Sequence, residues 1–107
     1  FTGMAFRVPT PTVSVVDFTA ILNKEASAEE IRAAMIEYAN GSMKGILDVT
    51  DEPLVSTDLR GTQFSSVFSA MDTIVMGNMI KVVAWYDNEW GYASRTADLT
   101  AMMAKSL

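Results

Sequence analysis

The stretch from Met79 to Tyr86 constrains the fold more than any other, because it is apolar on both faces that a strand presents. Ile80, Val82 and Ala84 alternate with Met79, Val83 and Trp85, and Lys81 is the exception. A strand of this kind needs cover on two sides, which makes it a central member of a sheet. Just before it, Gly77-Asn78 lies between apolar runs, the pattern of a two-residue hairpin loop. Just after it, Asp87-Asn88 is a polar, turn-forming pair set among Trp85, Tyr86, Trp90 and Tyr92, where the strand gives way to a helix. A side-chain amide therefore stands at a strand end.

The remaining elements follow from period and punctuation. Between Val13 and Leu22, the residues Val16, Phe18, Ala20 and Leu22 fall on one face at the two-residue period of a strand, with Val15, Asp17 and Thr19 on the other. Ser27-Ala28-Glu29-Glu30 has the spacing of a capping box and predicts a helix that carries Ile31, Met35 and Tyr38 on one side. Asn40-Gly41 ends that helix, since glycine tolerates the left-handed conformation common at helix ends. Gly45 to Val49 reads as a short strand, Asp51-Glu52-Pro53 as a turn, and Leu54 to Thr62 as irregular. Phe64 to Ser69 and Thr73 to Met76 read as extended. A last helix is predicted from near Asn88 to about Ala104, with Tyr92, Thr96, Leu99 and Met103 on one face. The expected fold class is α+β: a mixed, largely antiparallel sheet backed by helices on one face. The other face would need a second surface, from further chain or a neighbouring subunit, so an oligomer is expected.

Composition narrows the chemistry. The 107 residues fit one domain, and half are hydrophobic, enough for a core without disulfides. A net charge of -5 with no basic cluster argues against nucleic acid or an anionic membrane as the main partner. No signal peptide and no membrane span is read, and a cytoplasmic location is the default. The chain has neither cysteine nor histidine, so thiolate chemistry, imidazole bases and the commonest metal ligands are all missing. No metal site is expected. Asn40-Gly41-Ser42 matches a glycosylation sequon, which the absence of any secretion signal discounts. Eight methionines read as flexible core filling.

Two motifs are more specific. Gly3-Met4-Ala5-Phe6-Arg7-Val8-Pro9-Thr10-Pro11 and Trp85-Tyr86-Asp87-Asn88-Glu89-Trp90-Gly91-Tyr92 resemble the C-terminal part of the catalytic domain of a phosphorylating glyceraldehyde-3-phosphate dehydrogenase. The resemblance extends over residues 1–107, through Val13-Ser14-Val15-Val16-Asp17, Lys44-Gly45-Ile46-Leu47, Glu52-Pro53-Leu54-Val55-Ser56 and Gly77-Asn78-Met79. It implies that Arg7 binds a phosphate at the active site, a role suited to a permanently charged guanidinium with several coplanar donors. It implies that Asn88 contacts the carboxamide of the nicotinamide of NAD or NADP, and that Tyr92 lies near that ring. Read from the residues alone, Arg7 would pair with a carboxylate, Asn88 would cap a helix, and Tyr92 would be core. Asp87 and Glu89 take structural roles at a helix N-terminus.

By the same resemblance, a cysteine elsewhere attacks the aldehyde of glyceraldehyde 3-phosphate, hydride passes to nicotinamide, and inorganic phosphate releases 1,3-bisphosphoglycerate in glycolysis. This segment then contributes no catalytic nucleophile or base, and the isolated chain is expected to be inactive. Its partners are the rest of the enzyme and further copies of itself, a tetramer in the family. No Gly-x-Gly-x-x-Gly is present, so the nucleotide-binding domain and its pyrophosphate cradle lie outside this sequence. Small departures occur: Ala20 where relatives often carry cysteine, Ser69 where many carry aspartate, and Ala93-Ser94 where Ser-Asn is usual. Two other readings stand beside this one. One is a non-catalytic half-domain that oligomerises through its bare sheet; the other is an unrelated α+β domain that binds a small anion near Arg7.

Overall fold

Residue pairing across the central strand sets the architecture. In the computed structural model, which describes all 107 residues, strand β4 (Met79–Tyr86) is bordered on one side by β1 (Ser14–Ile21) and on the other by β3 (Ser66–Met76). Both pairings are antiparallel, and β2 (Leu47–Thr50) adds to the far edge parallel to β3. The sheet order is β1-β4-β3-β2, a mixed and largely antiparallel sheet of an α+β fold, as expected. Met76 pairs with Met79, so Gly77-Asn78 is the two-residue hairpin loop. Asn78 also ties the loop to the end of β1: its carbonyl accepts from the Leu22 amide at 2.8 Å, and its side-chain amide donates to the Leu22 carbonyl at 3.2 Å.

Helix α1 (Ala28–Asn40) starts at the capping box foreseen at Ser27, where the Ser27 amide donates to Glu30 Oε2 at 2.7 Å and the Glu30 amide to Ser27 Oγ at 3.1 Å. It lies across β2 and β3. Ile31 joins Leu47, Phe68 and Ile80 in the larger core cluster, with Met35 and Ala39 against it. Tyr38, expected on this face, is exposed, and the small Ala39 one position on makes the close approach instead. The helix ends at Gly41 as expected but for another reason. Its φ of -108° is not left-handed, and a Cβ there would stand 3.0 Å from the Glu37 carbonyl, so the position needs room more than conformational freedom.

Adjacent residues of β3 point to opposite faces, so Phe68 faces α1 while Val67 faces away. Val67 joins Val13 and Leu59 in a second, smaller core, flanked by Leu54, Phe64 and Trp85. The segment read as irregular contains a short 3-10 turn, Ser56–Leu59, and delivers Leu59 to that core. The two extended stretches expected before the hairpin form one strand, broken in register between Ser69 and Ile74. Ser69 Oγ donates to Asp72 Oδ2 at 2.6 Å inside the irregularity, between the two stretches that the sequence reading separates.

Helix α2 (Trp90–Lys105) behaves differently, because only Gly91 of its residues is buried. Leu99, Met102 and Met103 are exposed, as are Ile21, Ile74 and Met76 at one end of the sheet. The accessible surface is 8027 Å², against about 5,900 Å² for a folded monomer of this mass. A surface this large and this apolar calls for a further protein surface over it. The core is correspondingly small, and Phe68, 2% exposed, carries much of it. Phe68→Ala should therefore cost about 3 to 5 kcal/mol in chemical denaturation. A loss under about 1 kcal/mol would show that the α1 face is not the stabilising core.

Candidate functional site

The end of β4 and the start of α2 pose a local problem, because the first amides of any helix lack intrahelical partners. Asp87 meets it. Its Oδ1 accepts from the Glu89 and Trp90 amides, each at 3.1 Å, and its backbone carbonyl accepts from the Gly91 amide at 2.9 Å. Oδ2 reaches across to the Gly61 amide at 2.9 Å, on the loop that follows the 3-10 turn. Asp87 is only 5% exposed, so a single buried carboxylate fastens strand end, helix start and a distant loop. Capping thus belongs to Asp87, and the reading of Asn88 as the cap is corrected. Oxygen on the residue before it already occupies the amides that Asn88 would have served.

Asn88, freed from that duty, is exposed. Its one side-chain contact is with Ser14 at the start of β1, whose hydroxyl stands 3.5 Å from Asn88 Oδ1. The amide nitrogen has no partner. Asn88 lines a cleft of about 290 Å³ together with Ser65, Tyr86, Asp87, Gly91, Tyr92 and Arg95. Tyr92 is 76% exposed on this wall, so it is not a core residue. Two residues keep the cleft in shape, Gly91 and Arg95. Gly91 lies against the Phe64 carbonyl, where a Cβ would meet oxygen at 2.9 Å. Arg95 Nη1 donates to Ser65 Oγ at 3.2 Å and to the Gly45 carbonyl at 3.3 Å, while Nη2 pairs with Asp98 at 2.8 Å.

A second hollow of about 470 Å³ is lined by Pro11, Thr12, Arg60, Gly61, Asp87, Glu89 and Trp90. Asp87 borders both. Between Thr12 and Ser14, Val13 has a positive φ of 67°, a strained conformation for a β-branched residue, and it is buried. The strain turns the chain from β1 into the arm that bears Arg7. Arg7 itself is exposed, makes no hydrogen bond or ion pair, and lines neither hollow. The structure therefore brings Asn88 and Tyr92 together and leaves Arg7 apart from them. Pro11 is four positions further along the chain, so the Arg7 Cα lies within about 14 Å of that rim.

Arg60, Gly91 and Arg95 were missed by sequence reasoning. Gly91 between two aromatics at a helix start was the one available signal, since a glycine there marks close backbone approach.

Comparison with known proteins bears on the same residues. Residues 1–88 match the family model described as glyceraldehyde 3-phosphate dehydrogenase, C-terminal domain. The chain is 55% identical over 104 residues to glyceraldehyde-3-phosphate dehydrogenase 1 of Bacillus subtilis, which covers 96% of this chain and 31% of that protein. It is 57% identical to the chloroplastic glyceraldehyde-3-phosphate dehydrogenase A of Chlamydomonas reinhardtii, over 96% of this chain and 28% of that one. Identity to the cytosolic enzyme of Ginkgo biloba is 54%, over 99% and 32%. The chain thus spans about a third of the length of these curated relatives.

The amides of Gly61 and Trp90 hold the Asp87 carboxyl below the usual 3.8; burial opposes them, and the Glu89 amide and the Arg60 charge assist. A folded-state pKa below the unfolded value means that the stabilisation is complete above the ordinary aspartate range. It is lost as pH falls through the lower folded value. Acid titration of the folded protein should accordingly release α2 below about pH 4. Asp87→Asn should flatten that part of the profile, read from helix-α2 amide exchange. An unaltered acid profile in the variant would mean another carboxylate governs the transition.

Proposed function

The chain belongs to the glyceraldehyde-3-phosphate dehydrogenase family, as its C-terminal domain, and from that premise we propose that it forms one wall of such an enzyme's active site. The reaction is the NAD- or NADP-dependent conversion of glyceraldehyde 3-phosphate and inorganic phosphate to 1,3-bisphosphoglycerate, in glycolysis. The observation that carries this reading is the unpaired Asn88 amide beside the exposed Tyr92 in an open cleft.

That cleft suits the nicotinamide end of the dinucleotide and nothing more of it. A planar ring bearing a carboxamide needs a polar partner for the amide and flat apolar cover for the ring, and Asn88 and Tyr92 offer these. When bound, the dinucleotide supplies the hydride acceptor. Asn88 then holds the carboxamide and thereby chooses which ring face meets the substrate. Tyr92 covers the ring and limits the water around it. Arg7 anchors a phosphate group of the substrate or the attacking phosphate, with the arm of residues 1–12 settling against polypeptide supplied by the rest of the enzyme.

Neither a thiol nor an imidazole exists among the 107 residues, so nucleophile and base come from that other polypeptide, as does the grip on the pyrophosphate. The uncovered apolar surface of α2 and of the sheet supports the same reading, since other parts of such an enzyme and neighbouring copies would cover it. An assembly of several copies fits this reading, in the cytoplasm as with the cytosolic relative from Ginkgo biloba. No helix is long and apolar enough to cross a membrane.

The same bare surface favours one competing reading, a half-domain that only associates. Intact mass of the polypeptides in the native particle separates the two. A companion stretch or chain bearing cysteine and histidine supports the enzyme, and a particle built from this segment alone supports the module. In the complete enzyme, Arg7→Ala should lower kcat/KM for the phosphorylated triose about a hundredfold or more, from the lost charge-assisted contact and the lost orientation. Unchanged turnover at limiting substrate would remove Arg7 from the site.

A further inference from the structure

We propose that Asp87 is the positioning residue for Asn88, setting the direction of its amide through the turn that the two share and through the tether to Gly61. The inference rests on the assignment of Asn88 to the nicotinamide. Its geometric basis is independent of that assignment.

Asn88 lies inside the loop that Asp87 closes on itself. Oδ1 of Asp87 holds the amides of Glu89 and Trp90, the first and second residues after Asn88. With both amides fixed, the backbone dihedrals of Asn88 are confined, and its Cα–Cβ direction follows from them. One further restraint acts on the side chain itself, the Ser14 hydroxyl at 3.5 Å. That contact is long for a hydrogen bond and cannot define an orientation alone. The turn must do most of the work.

Oδ2 adds a reference point outside the turn. Its bond to the Gly61 amide joins the turn to a loop 26 residues away in sequence, and Leu59, just before that loop, is buried in the second core. The turn is thereby referred to packed structure rather than to the exposed helix that follows it. Asp87 also borders both hollows, and Arg60 adds positive charge beside it without forming an ion pair. A carboxylate buried among three backbone donors is well satisfied, so it has no need of substrate or cofactor contact to explain its presence.

A purely structural Asp87 and a positioning Asp87 predict different binding data. NAD and ADP-ribose differ by the nicotinamide alone, so the ratio of their affinities for the complete enzyme isolates that end of the molecule; for an enzyme that prefers the phosphorylated cofactor, the 2′-phosphorylated pair serves. Equilibrium dissociation constants are measured by calorimetry for the parent, Asp87→Ala, Asp87→Asn, Asn88→Ala and the double variant Asp87→Ala/Asn88→Ala.

Asp87→Ala should weaken NAD about tenfold, the scale of one lost oriented hydrogen bond, and leave ADP-ribose within about twofold. In the Asn88→Ala background it should add nothing, because residues that act as a unit are not additive. Asp87→Asn keeps one oxygen for the turn and loses the acceptor for Gly61, so it should shift the ratio about threefold; it also keeps the test decisive if Asp87→Ala does not fold. An effect of Asn88→Ala on the ratio, with none from either Asp87 variant, would overturn the positioning role and leave the Asn88 assignment standing. Equal weakening of NAD and ADP-ribose by Asp87→Ala would overturn it in favour of general structural damage. A ratio unmoved by Asn88→Ala would overturn both.

Discussion

One buried carboxylate holds the junction of β4 and α2 together. Without Asp87, the β4-to-α2 junction would present unsatisfied helix amides, the loop at Gly61 would lose its tie to the sheet, and Asn88 would have only a distant serine to define it. Charge makes the arrangement strong, because hydrogen bonds to an ionised acceptor are worth about 1.5 to 3 kcal/mol each where neutral ones give about 1. Burial makes it necessary, since a carboxylate taken out of water must be compensated in full. If Asp87 also positions Asn88 as proposed, one residue serves both folding and the geometry of the cleft wall.

Most of the sheet was legible in the sequence because its signals are local. Alternation over Met79 to Tyr86, the Gly77-Asn78 pair and the Ser27 to Glu30 box each act within a few residues, and each appears where the pattern put it. Longer-range effects were not legible. The break between Ser69 and Ile74 was read as two strands, because a bulge and a gap look alike until the partner strand is in place. The cap fell one residue earlier than the sequence reading put it, since aspartate and asparagine are about equally good caps and only the tether to Gly61 decides between neighbours. Tyr92 was open to the same ambiguity. Its periodicity fits a buried face, and only the lack of any element over that face exposes it.

That lack of cover is informative in itself. A helix with Tyr92, Leu99 and Met103 on one side has the pattern of a packed helix, yet it is held over its first two turns by Asp87, Gly91 and Arg95 and by little beyond. Sequence pattern and local structure agree that the face is meant to be buried, while the tertiary contacts of these 107 residues do not bury it. The discrepancy is resolved if the pattern was shaped by surfaces belonging to the longer proteins of this family, of which the chain spans about a third. The acyl-transfer chemistry proposed for those surfaces is equally absent from the segment. Packing and chemistry thus point outward in the same direction.

Strain at Val13 is a second constraint on this end of the fold. A β-branched residue at φ 67° costs about 1 to 3 kcal/mol, and burial against Leu59 and Val67 is what sustains it. The cost falls on the residue between Thr12, which lines one hollow, and Ser14, which touches Asn88 at the other. A glycine would have met the backbone requirement at once, but it would have given up the side chain that fills the second core. Keeping valine couples the direction of the Arg7-bearing arm to the packing of that core, just as Asp87 couples Asn88 to the loop beside it. The start of the arm and the tether of the Asp87 turn thus both lead to one small cluster, Val13, Leu59 and Val67.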